Sequence, residues 1–467
     1  MNNHYTTELF KFEKVNRIFF LFLTIIALTT SSCSKDDAPE LPTLPVATVG
    51  SVSGTVKEDS NNLTGATVIL KQTGQQDKSV TVGTNGVFSF SNLPVGNVSL
   101  MVSFPLYISQ TIEASVTAGK TTNVAVAMGG DLTVKTLIPD AKFEEKLIKL
   151  GHDVAPIDGS VPTYKINKIK TLVLNDSGVA DLTGLQDFTA LENFYCSNIY
   201  AASVVKITSI DISNNTALKL LDVSFNKIAS LDISKNTALV SLKLSSNLVT
   251  SLDVSKHTAL TLLFIDRNPL TSVDVTKNIL LKELAVSSSV NTLDVSKNTA
   301  LVNLYANDCK FTNLDISSNS TLEVLWVGSN QLSTLDISKN PALRILLSNY
   351  NLLTGLDITN NPALIDINAE YNKITTLNTS KNTQLVKLSC GDNNLTSLNL
   401  SNNLKLTYLK CSNNKLTDLD LSKNTLIATG SLNYLLCANN LLTKLNLKNG
   451  NNVNFIGGNF RSNAAYS

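Results

Sequence analysis

The chain contains few of the residues from which catalytic sites are usually built. Its 467 residues include three histidines and one tryptophan, and only 16% of the residues are charged. Two histidines lie beyond residue 33, and no nucleophile with a third polar partner accompanies either of them. One is His152, which precedes Asp153 in what we interpret as a surface turn, and the other is His257. The sequence therefore offers few residues that could act as a general base for a nucleophile, and we expect a protein that is not an enzyme.

One pair of carboxylates could suggest glycoside hydrolysis. Asp366 and Glu370 fall on one predicted strand, and their spacing places them about 13 Å apart. Retaining glycosidases hold their two carboxylates about 5 Å apart, and inverting ones hold them about 6.5 to 9.5 Å apart. The spacing is too long for either mechanism, so we interpret both side chains as part of a surface.

Basic residues are spread thinly, and arginine is scarce. The formal net charge is +1, and only four of the 38 basic residues are arginine. Lysine and arginine nowhere cluster with aromatic residues, as the footprint of a nucleic-acid-binding protein requires. We therefore expect no nucleic-acid partner.

Cysteine pairs with metal-ligand spacing are absent as well. Of the six cysteines one is Cys33, and the remaining five contain no CxxC pair. An odd number argues against a disulfide framework, and the missing CxxC spacing argues against a zinc site. We therefore predict no metal site and no cofactor. The five cysteines fall on buried positions of the repeats described below: Cys196, Cys309, Cys390, Cys411 and Cys437.

No apolar run is long enough to span a bilayer as a stable helix. The longest, IFFLFLTIIAL at 18–28, follows three basic residues, as in an export signal. The stretch LTTSSC, which ends at Cys33, is similar to the lipobox of bacterial lipoproteins. This resemblance implies a signal peptide over residues 1–32 and lipidation of the Cys33 thiol. A plain secretory signal is the alternative.

The segment after Cys33 combines acidic residues with prolines. SKDD, at 34–37, resembles the acidic export tag of Bacteroidetes-type lipoproteins, and APELPTLP, at 38–45, is typical of a tether. We assign residues 33–47 to this tether. The resemblance implies a protein that is lipid-anchored in the outer membrane and exposed at the cell surface. The alternative is a solvated linker without a targeting role.

Residues 48–129 alternate short β-branched runs with turn signals. SVSGTV, GATVIL and VFSFSNLPVG place apolar residues at every second position, as half-buried strands do. The order GTV, LTGATV and TNGVFSFSNLPVG resembles carboxypeptidase regulatory-like, transthyretin-type domains. The resemblance implies a small β-sandwich that serves as a spacer or stalk and brings no catalytic residue.

A single amphipathic helix separates this region from the rest of the chain. In IPDAKFEEKLIKLG, Asp140 is the predicted N-cap and Gly151 the predicted stop. The segment is similar to the N-terminal cap of bacterial leucine-rich-repeat proteins, so we assign residues 138–168 to a cap. Its predicted buried face contains Phe143, Leu147 and Leu150.

The remaining residues, 169–467, consist of repeats. One unit reads LDISKNTALVSLKLSSNLVTS, at 231–251, and the unit recurs every 21 residues with two exceptions. The segment LxxLxLxxNxL is the leucine-rich-repeat signature. The array is similar to surface leucine-rich-repeat lipoproteins of Bacteroidetes and, more distantly, to internalin-like adhesins. The expected fold class is mainly β: the transthyretin-like sandwich, then a right-handed leucine-rich-repeat solenoid with an N-terminal helical cap.

Two recurring polar positions have structural explanations. In most units an asparagine follows the strand and should bond to backbone groups that a sharp buried turn leaves unpaired, and Cys309 stands in the same position. The convex run DxSxN, as at 315–319, lacks the glycine and the bidentate glutamate of a calcium loop. We expect this run to cap turns through side-chain to backbone hydrogen bonds. His257 takes the place of its asparagine in one unit.

The register of the repeats predicts which side chains point from the concave face into solvent. Residues that flank the core leucine of each LxL strand alternate with it, so they point to solvent. Trp326, the only tryptophan, is in such a position. Apolar surface with a polar rim is typical of interaction sites. The predicted ligand-binding residues are the apolar Leu262, Phe264, Tyr305, Val324, Trp326, Ile345 and Leu347 and the polar Asp366, Asn368 and Glu370.

These observations favour a monomeric surface lipoprotein that binds an extracellular protein in its concave face, as adhesins do. The first alternative is a glycan receptor of the outer-membrane surface, because aromatic platforms also stack on sugar rings. Its polar partners would be Asn303, Asp366, Asn368 and Glu370. The second alternative is a structural spacer, which would not need an exposed tryptophan. A cap, the sandwich or a second copy of the chain lying over the patch is the competing explanation of its apolar character.

Overall fold

The computed structural model describes residues 48–199, 206–286, 289–427, 435–450, 458–459 and 463. The predicted signal peptide, the tether and the lipidation site Cys33 lie outside the described residues. Within the described part, no helix combines the length and the apolar character needed to cross a bilayer. The described chain is mainly β, with a β-sandwich, a short cap and a solenoid, which confirms the expected fold class.

The first domain is a sandwich of two sheets. Its strands are β1 (Val49–Glu58), β2 (Asn61–Asn62), β3 (Thr67–Lys71), β4 (Lys78–Thr81), β5 (Val87–Pro94), β6 (Gly96–Ser103), β7 (Gln110–Val116) and β8 (Thr121–Ala127). In one sheet β1 pairs antiparallel with β2 and β5 and parallel with β8, and the other sheet has the order β4-β3-β6-β7. Every second residue faces the core, as Val52 and Val56 of β1 do.

The cap follows the sandwich and covers the first layer of the repeat core. Its elements are β9 (Lys135–Leu137), α1 (Ala141–Lys149), β10 (Ser160–Pro162) and α2 (Thr163–Ile166). Asp140 caps α1 as predicted, because its Oδ1 accepts hydrogen bonds from the backbone N–H groups of Lys142 and Phe143 at 2.8 and 3.1 Å. Its Oδ2 accepts from the Ala180 N–H at 2.7 Å, which ties the helix to the array.

The buried face of α1 is shorter than the sequence predicts. Phe143 and Leu147 are fully buried, as expected, but Leu150 is 46% exposed, so its assignment to the core was wrong. The helix ends at Lys149, and the chain turns away at Gly151, whose φ is 79°. Leu150 therefore lies after the last helical turn that packs against the repeats.

The sandwich packs directly against the cap. Tyr164 of α2 lies on the sandwich core, with its ring centroid 6.0 Å from that of Tyr107. The Lys168 Nζ lies 3.2 Å from the Glu58 carboxylate and 4.8 Å from the centroid of the Tyr107 ring. These contacts join the two domains through a small aromatic and ionic interface.

The solenoid is built on a sheet of 14 short parallel strands, one from each coil. They are β11 (Thr171–Val173), β12 (Asn193–Tyr195), β13 (Leu220–Asp222), β14 (Ser241–Lys243), β15 (Leu262–Phe264), β16 (Glu283–Ala285), β17 (Asn303–Tyr305), β18 (Val324–Trp326), β19 (Ile345–Leu347), β20 (Asp366–Asn368), β21 (Lys387–Ser389), β22 (Tyr408–Lys410), β24 (Leu435–Leu436) and β26 (Gly458–Asn459). Two further strands, β23 (Asp418–Asp420) and β25 (Lys444–Asn446), pair with each other outside this sheet. A 3-10 turn covers Leu185–Asp187.

The asparagines that follow most of these strands form the predicted ladder on the inside of the turn. Asn351 is representative: its Oδ1 accepts from the Leu332 N–H at 3.0 Å. Its Nδ2 donates to the carbonyl oxygens of Val327 at 2.9 Å and Ser348 at 3.2 Å. Each asparagine therefore satisfies backbone groups of its own coil and of the coil before it.

The five cysteines described by the structure are buried, as predicted. Cys309 occupies an asparagine position of the ladder, and its Sγ lies 3.7 Å from the carbonyl oxygen of Val286. Burial raises the pKa of the Cys196 thiol to about 12. Thiols in such surroundings behave as small hydrophobic side chains.

The convex turns contain two ladders. Asp315 caps its turn as predicted, because its Oδ1 accepts from the Ser317 N–H at 2.9 Å. Asn319 of the same run is fully buried, and its Nδ2 donates to the carbonyl oxygens of Val295 at 3.1 Å and Asn298 at 2.8 Å. The aspartates therefore cap the exposed turn, and the asparagines join successive coils from inside.

His257 interrupts this inner ladder. Its Nε2 makes one contact, at 3.0 Å to the carbonyl oxygen of Ile233, and its buried Nδ1 has no hydrogen-bond partner. In the preceding coil, Asn236 donates two hydrogen bonds, to the carbonyl oxygens of Ile212 and Asn215 at 3.0 and 2.9 Å. The imidazole thus makes one bond where an asparagine makes two.

We expect His257→Asn to raise the free energy of unfolding by about 1 kcal/mol, the typical net contribution of one added hydrogen bond. The new amide would donate to Ile233 and Asn236, as Asn278 in the next coil donates to Val254 and His257 at 2.9 and 2.8 Å. Urea unfolding measures the change, and Asn278→His should give a change of opposite sign. A less stable His257→Asn protein would contradict this account of the ladder.

Candidate functional site

The candidate site is the apolar part of the concave sheet, which we call the concave patch. In β18 the central residue Leu325 is fully buried, whereas Trp326 beside it is 39% exposed. The outward direction predicted for the tryptophan follows from the two-residue alternation of a strand. The concave patch consists of Leu262, Phe264, Tyr305, Val324, Trp326, Ile345 and Leu347. Trp326 is exposed, and the other six residues are partly exposed.

Three aromatic rings of the concave patch contact each other in a row. The Tyr305 and Trp326 ring centroids are 5.0 Å apart with an interplanar angle of 82°, and those of Phe264 and Tyr305 are 6.0 Å apart at 90°. Phe264 and Tyr305 lie two strands apart and meet above Ala285, whose methyl group leaves room for both rings. Edge-to-face contacts of this kind are favourable and hold each ring in place.

Aliphatic side chains extend the row of rings. Val324 stands directly beside Ile345 in the register, and Trp326 stands beside Leu347. Leu262 is set apart from them by Glu283 and Asn303, which occupy the two intervening coils. The structure therefore brings together the predicted apolar residues, with Leu262 and Phe264 at one end.

The polar rim begins at β20. Asp366 is partly buried, which raises the pKa of its carboxyl group, and the Lys387 Nζ lies 3.9 Å from it. Asn368 uses its Oδ1 to accept from the Glu370 N–H at 3.1 Å. Both side chains lie next to the apolar coils in the register, as the sequence predicts.

Glu370 differs from its prediction. The residue is only 8% exposed, so its assignment to the open concave surface was wrong. Its carboxylate lies 2.6 Å from the Lys410 Nζ, and a Cβ atom added to Gly391 would come within 3.1 Å of it. Glycine in the neighbouring coil thus leaves a recess in which the carboxylate pairs with lysine.

A second aromatic feature, which was not predicted from the sequence, lies beside the concave ladder. Tyr350 and Tyr371 stack face to face, with centroids 4.2 Å apart and an interplanar angle of 7°, and they are 51% and 40% exposed. Each immediately precedes an asparagine of the concave ladder. Aligning the residue before that asparagine through all repeats would have placed the two rings side by side.

The candidate site offers no arrangement for metal binding. Across the described ranges, no group of three or more histidine, cysteine, aspartate or glutamate side chains is placed to hold a metal ion. Within the concave patch the side chains are aromatic or aliphatic, so the chemistry that it offers is apolar contact.

The sequence of the first domain matches the family of carboxypeptidase regulatory-like domains over residues 51–129. No curated protein matches the chain in a sequence comparison. Among solved structures, the functional domain of InlJ from Listeria monocytogenes, described as including a cysteine ladder, is 27% identical. That match has a TM-score of 0.51 and covers 66% of this chain and 76% of the chain in the InlJ domain structure.

Two further structures show the same fold at lower identity. An internalin, InlF from Listeria monocytogenes, is 22% identical with a TM-score of 0.59, over 71% of this chain and 96% of its own. A leucine-rich-repeat protein of Leptospira interrogans, LIC12759, is 20% identical with a TM-score of 0.50, over 65% and 93%. This chain therefore consists of a carboxypeptidase regulatory-like domain followed by a leucine-rich-repeat solenoid similar to those of internalins.

Proposed function

We propose that the chain is an adhesin-like receptor that binds an extracellular protein through the concave patch. The observation that carries the proposal is the row of Phe264, Tyr305 and Trp326, which contact each other on an open sheet. Tryptophan and tyrosine contribute most to binding energy at protein interfaces. The likeness to InlJ supports a role in protein interaction, and both domains are folds used for interaction rather than catalysis.

A protein ligand suits the concave patch better than a glycan. The rings that contact each other meet edge to face, so neither contacting pair forms a flat platform for a sugar ring. One of the four residues expected to bond to sugar hydroxyls, Glu370, is buried in an ion pair with Lys410. Broad apolar surface with few polar partners is what a protein interface uses at its centre.

The proposed location is the outer face of the outer membrane, with a lipid on Cys33. Support comes from the sequence of the first 47 residues, LTTSSC and SKDD above all. The sandwich then acts as a stalk, and its contacts through Tyr107, Tyr164 and Lys168 hold the array at a fixed angle to it. A fixed angle favours binding because less rotational freedom is lost when the ligand binds.

A titration tests the binding proposal. The chain from residue 48 onward contains one tryptophan, so its emission reports on Trp326 alone. We expect a bound protein ligand to shift that emission to shorter wavelength and to protect it from iodide. Candidate extracellular matrix proteins that bind without changing the emission or the quenching would place the interaction away from the concave patch.

A further inference from the structure

We propose that Tyr350 and Tyr371 form a separate binding site for a chain of neutral hexopyranose sugars. The two residues, which we call the tyrosine pair, lie in neighbouring coils beyond the carboxyl ends of β19 and β20. Their rings are parallel and 4.2 Å apart, and both are largely exposed. This site is distinct from the concave patch, and its test does not depend on the protein-binding proposal.

The backbone at the tyrosine pair is one that bulky residues rarely adopt. Tyr350 and Tyr371 both have φ of 54°, in the left-handed region. Many coils place short polar residues at this position, among them Ser329, Asp392, Asn413 and Asn439, but Phe225 and Arg267 share the conformation with φ of 61° and 54°, so it is a property of the repeat. What distinguishes the tyrosine pair is that aromatic rings occupy this position in two adjacent coils and stack on each other while the two residues remain 51% and 40% exposed.

The tyrosine pair presents ring faces to a ligand. Ser329 occupies the equivalent position in the coil before Tyr350, and its side chain is too small to cover that ring. Successive coils lie about 4.8 Å apart, which is close to the distance between two stacked rings. A sugar ring therefore fits against the free face of Tyr350, at the level of the coil that contains Ser329. The apolar C–H face of a hexopyranose is suited to an aromatic face.

Polar groups stand on both sides of the tyrosine pair, as sugar recognition requires. On one side, the Asn349 Oδ1 would lie 2.8 Å from a Cβ atom added to Gly328, so the glycine makes room for this amide beside Tyr350. On the other side stands Lys410, whose side chain is 28% exposed and whose Nζ is held by the buried Glu370 carboxylate at 2.6 Å. The Asn349 amide and the Lys410 ammonium group form directional hydrogen bonds with hydroxyls, and the ion pair keeps the ammonium group oriented.

The charges favour a neutral sugar. Glu370 and Lys410 neutralise each other, and the equivalent position of the coil after Tyr371 holds the carboxylate of Asp392. The hydrogen bond with Tyr350 and then the charge of Asp392 raise the pKa of Tyr371. A sugar that carries a carboxylate or a sulfate would be repelled. Neutral hexose units, with several hydroxyls and no charge, match both the ring faces and the polar groups.

Calorimetric titration of the chain from residue 48 onward with hexasaccharides of glucose, mannose and galactose tests this proposal. A hexasaccharide of galacturonic acid serves as the charged comparison. The informative variants are Tyr350→Asn and Tyr371→Asn, because Asn413 and Asn439 show that asparagine fits this backbone position. Phe225→Asn is the matched control, since Phe225 has the same backbone conformation (φ 61°) in a distant coil.

We expect at least one neutral hexasaccharide to bind and each tyrosine variant to weaken it roughly tenfold or more. Phe225→Asn should leave the affinity unchanged, and the acidic hexasaccharide should bind more weakly than the neutral one. Three outcomes would overturn the proposal: no binding of any neutral hexasaccharide, preference for the acidic one, or binding that Trp326→Ala abolishes while both tyrosine variants retain it.

Discussion

Replacing Asn351 by alanine is expected to lower the free energy of unfolding by roughly 2 to 4 kcal/mol. The substitution leaves one buried backbone group, the Leu332 N–H, without a partner, which costs about 1 to 3 kcal/mol. It also removes one hydrogen bond, worth about 1 kcal/mol, from the Val327 carbonyl, which keeps its bond from the Asn330 side chain at 3.0 Å. A methyl group cannot replace either bond. Because each coil is stabilised only by its neighbours, the loss affects two interfaces of the array.

Asn313→Ala is the control for this substitution. Asn313 lies at an exposed position outside the strands, so we expect its replacement to change the stability by less than about 0.5 kcal/mol. Urea unfolding followed by circular dichroism compares the two variants, and hydrogen exchange shows whether protection is lost in the coils around Leu332. Equal effects of the two substitutions would mean that the asparagine ladder does not stabilise the solenoid.

Trp326→Ala is expected to weaken binding of the protein ligand by about 2 to 4 kcal/mol, which is roughly 30- to 1,000-fold. The indole is the most exposed ring of the concave patch, and its removal also takes away the edge-to-face partner of Tyr305. Neighbouring side chains cannot fill the space, because β18 is fixed between β17 and β19. Most of the change should appear as faster dissociation.

Leu404→Ala serves as the control for the binding measurement. Leu404 is 55% exposed and lies outside the concave sheet, so its removal takes away a comparable amount of apolar surface elsewhere. Surface plasmon resonance with immobilised ligand should give wild-type kinetics for this variant. A similar loss for both variants, or no loss for Trp326→Ala, contradicts the location of the binding site.

The repeat period explains why much of this architecture could be predicted from the sequence. A unit of constant length places the same position of every coil in one row, and alternation along a strand decides which row faces out. Both facts are local, so Trp326 could be placed on the open surface without a structure. The asparagine ladder and the buried cysteines follow from the same alignment.

The features that the sequence did not predict depend on contacts between coils or between domains. Glu370 is buried because glycine follows at the same position in the next coil and Lys410 reaches it from two coils away. The stacking of Tyr350 on Tyr371 is likewise a contact between coils. Tyr164 lies on a short helix whose sequence gives no indication that the sandwich is its partner.

The measurement that tests the account most directly is quenching of Trp326 fluorescence in the free protein, with acrylamide and iodide. An exposed fraction of 39% on an open concave face predicts red-shifted emission and ready quenching by both agents. Urea-unfolded protein gives the upper limit of quenching for the same single tryptophan. Blue-shifted emission that iodide does not reach would show that another part of the molecule, or a second copy, covers the concave patch, and the binding proposal would lose its basis.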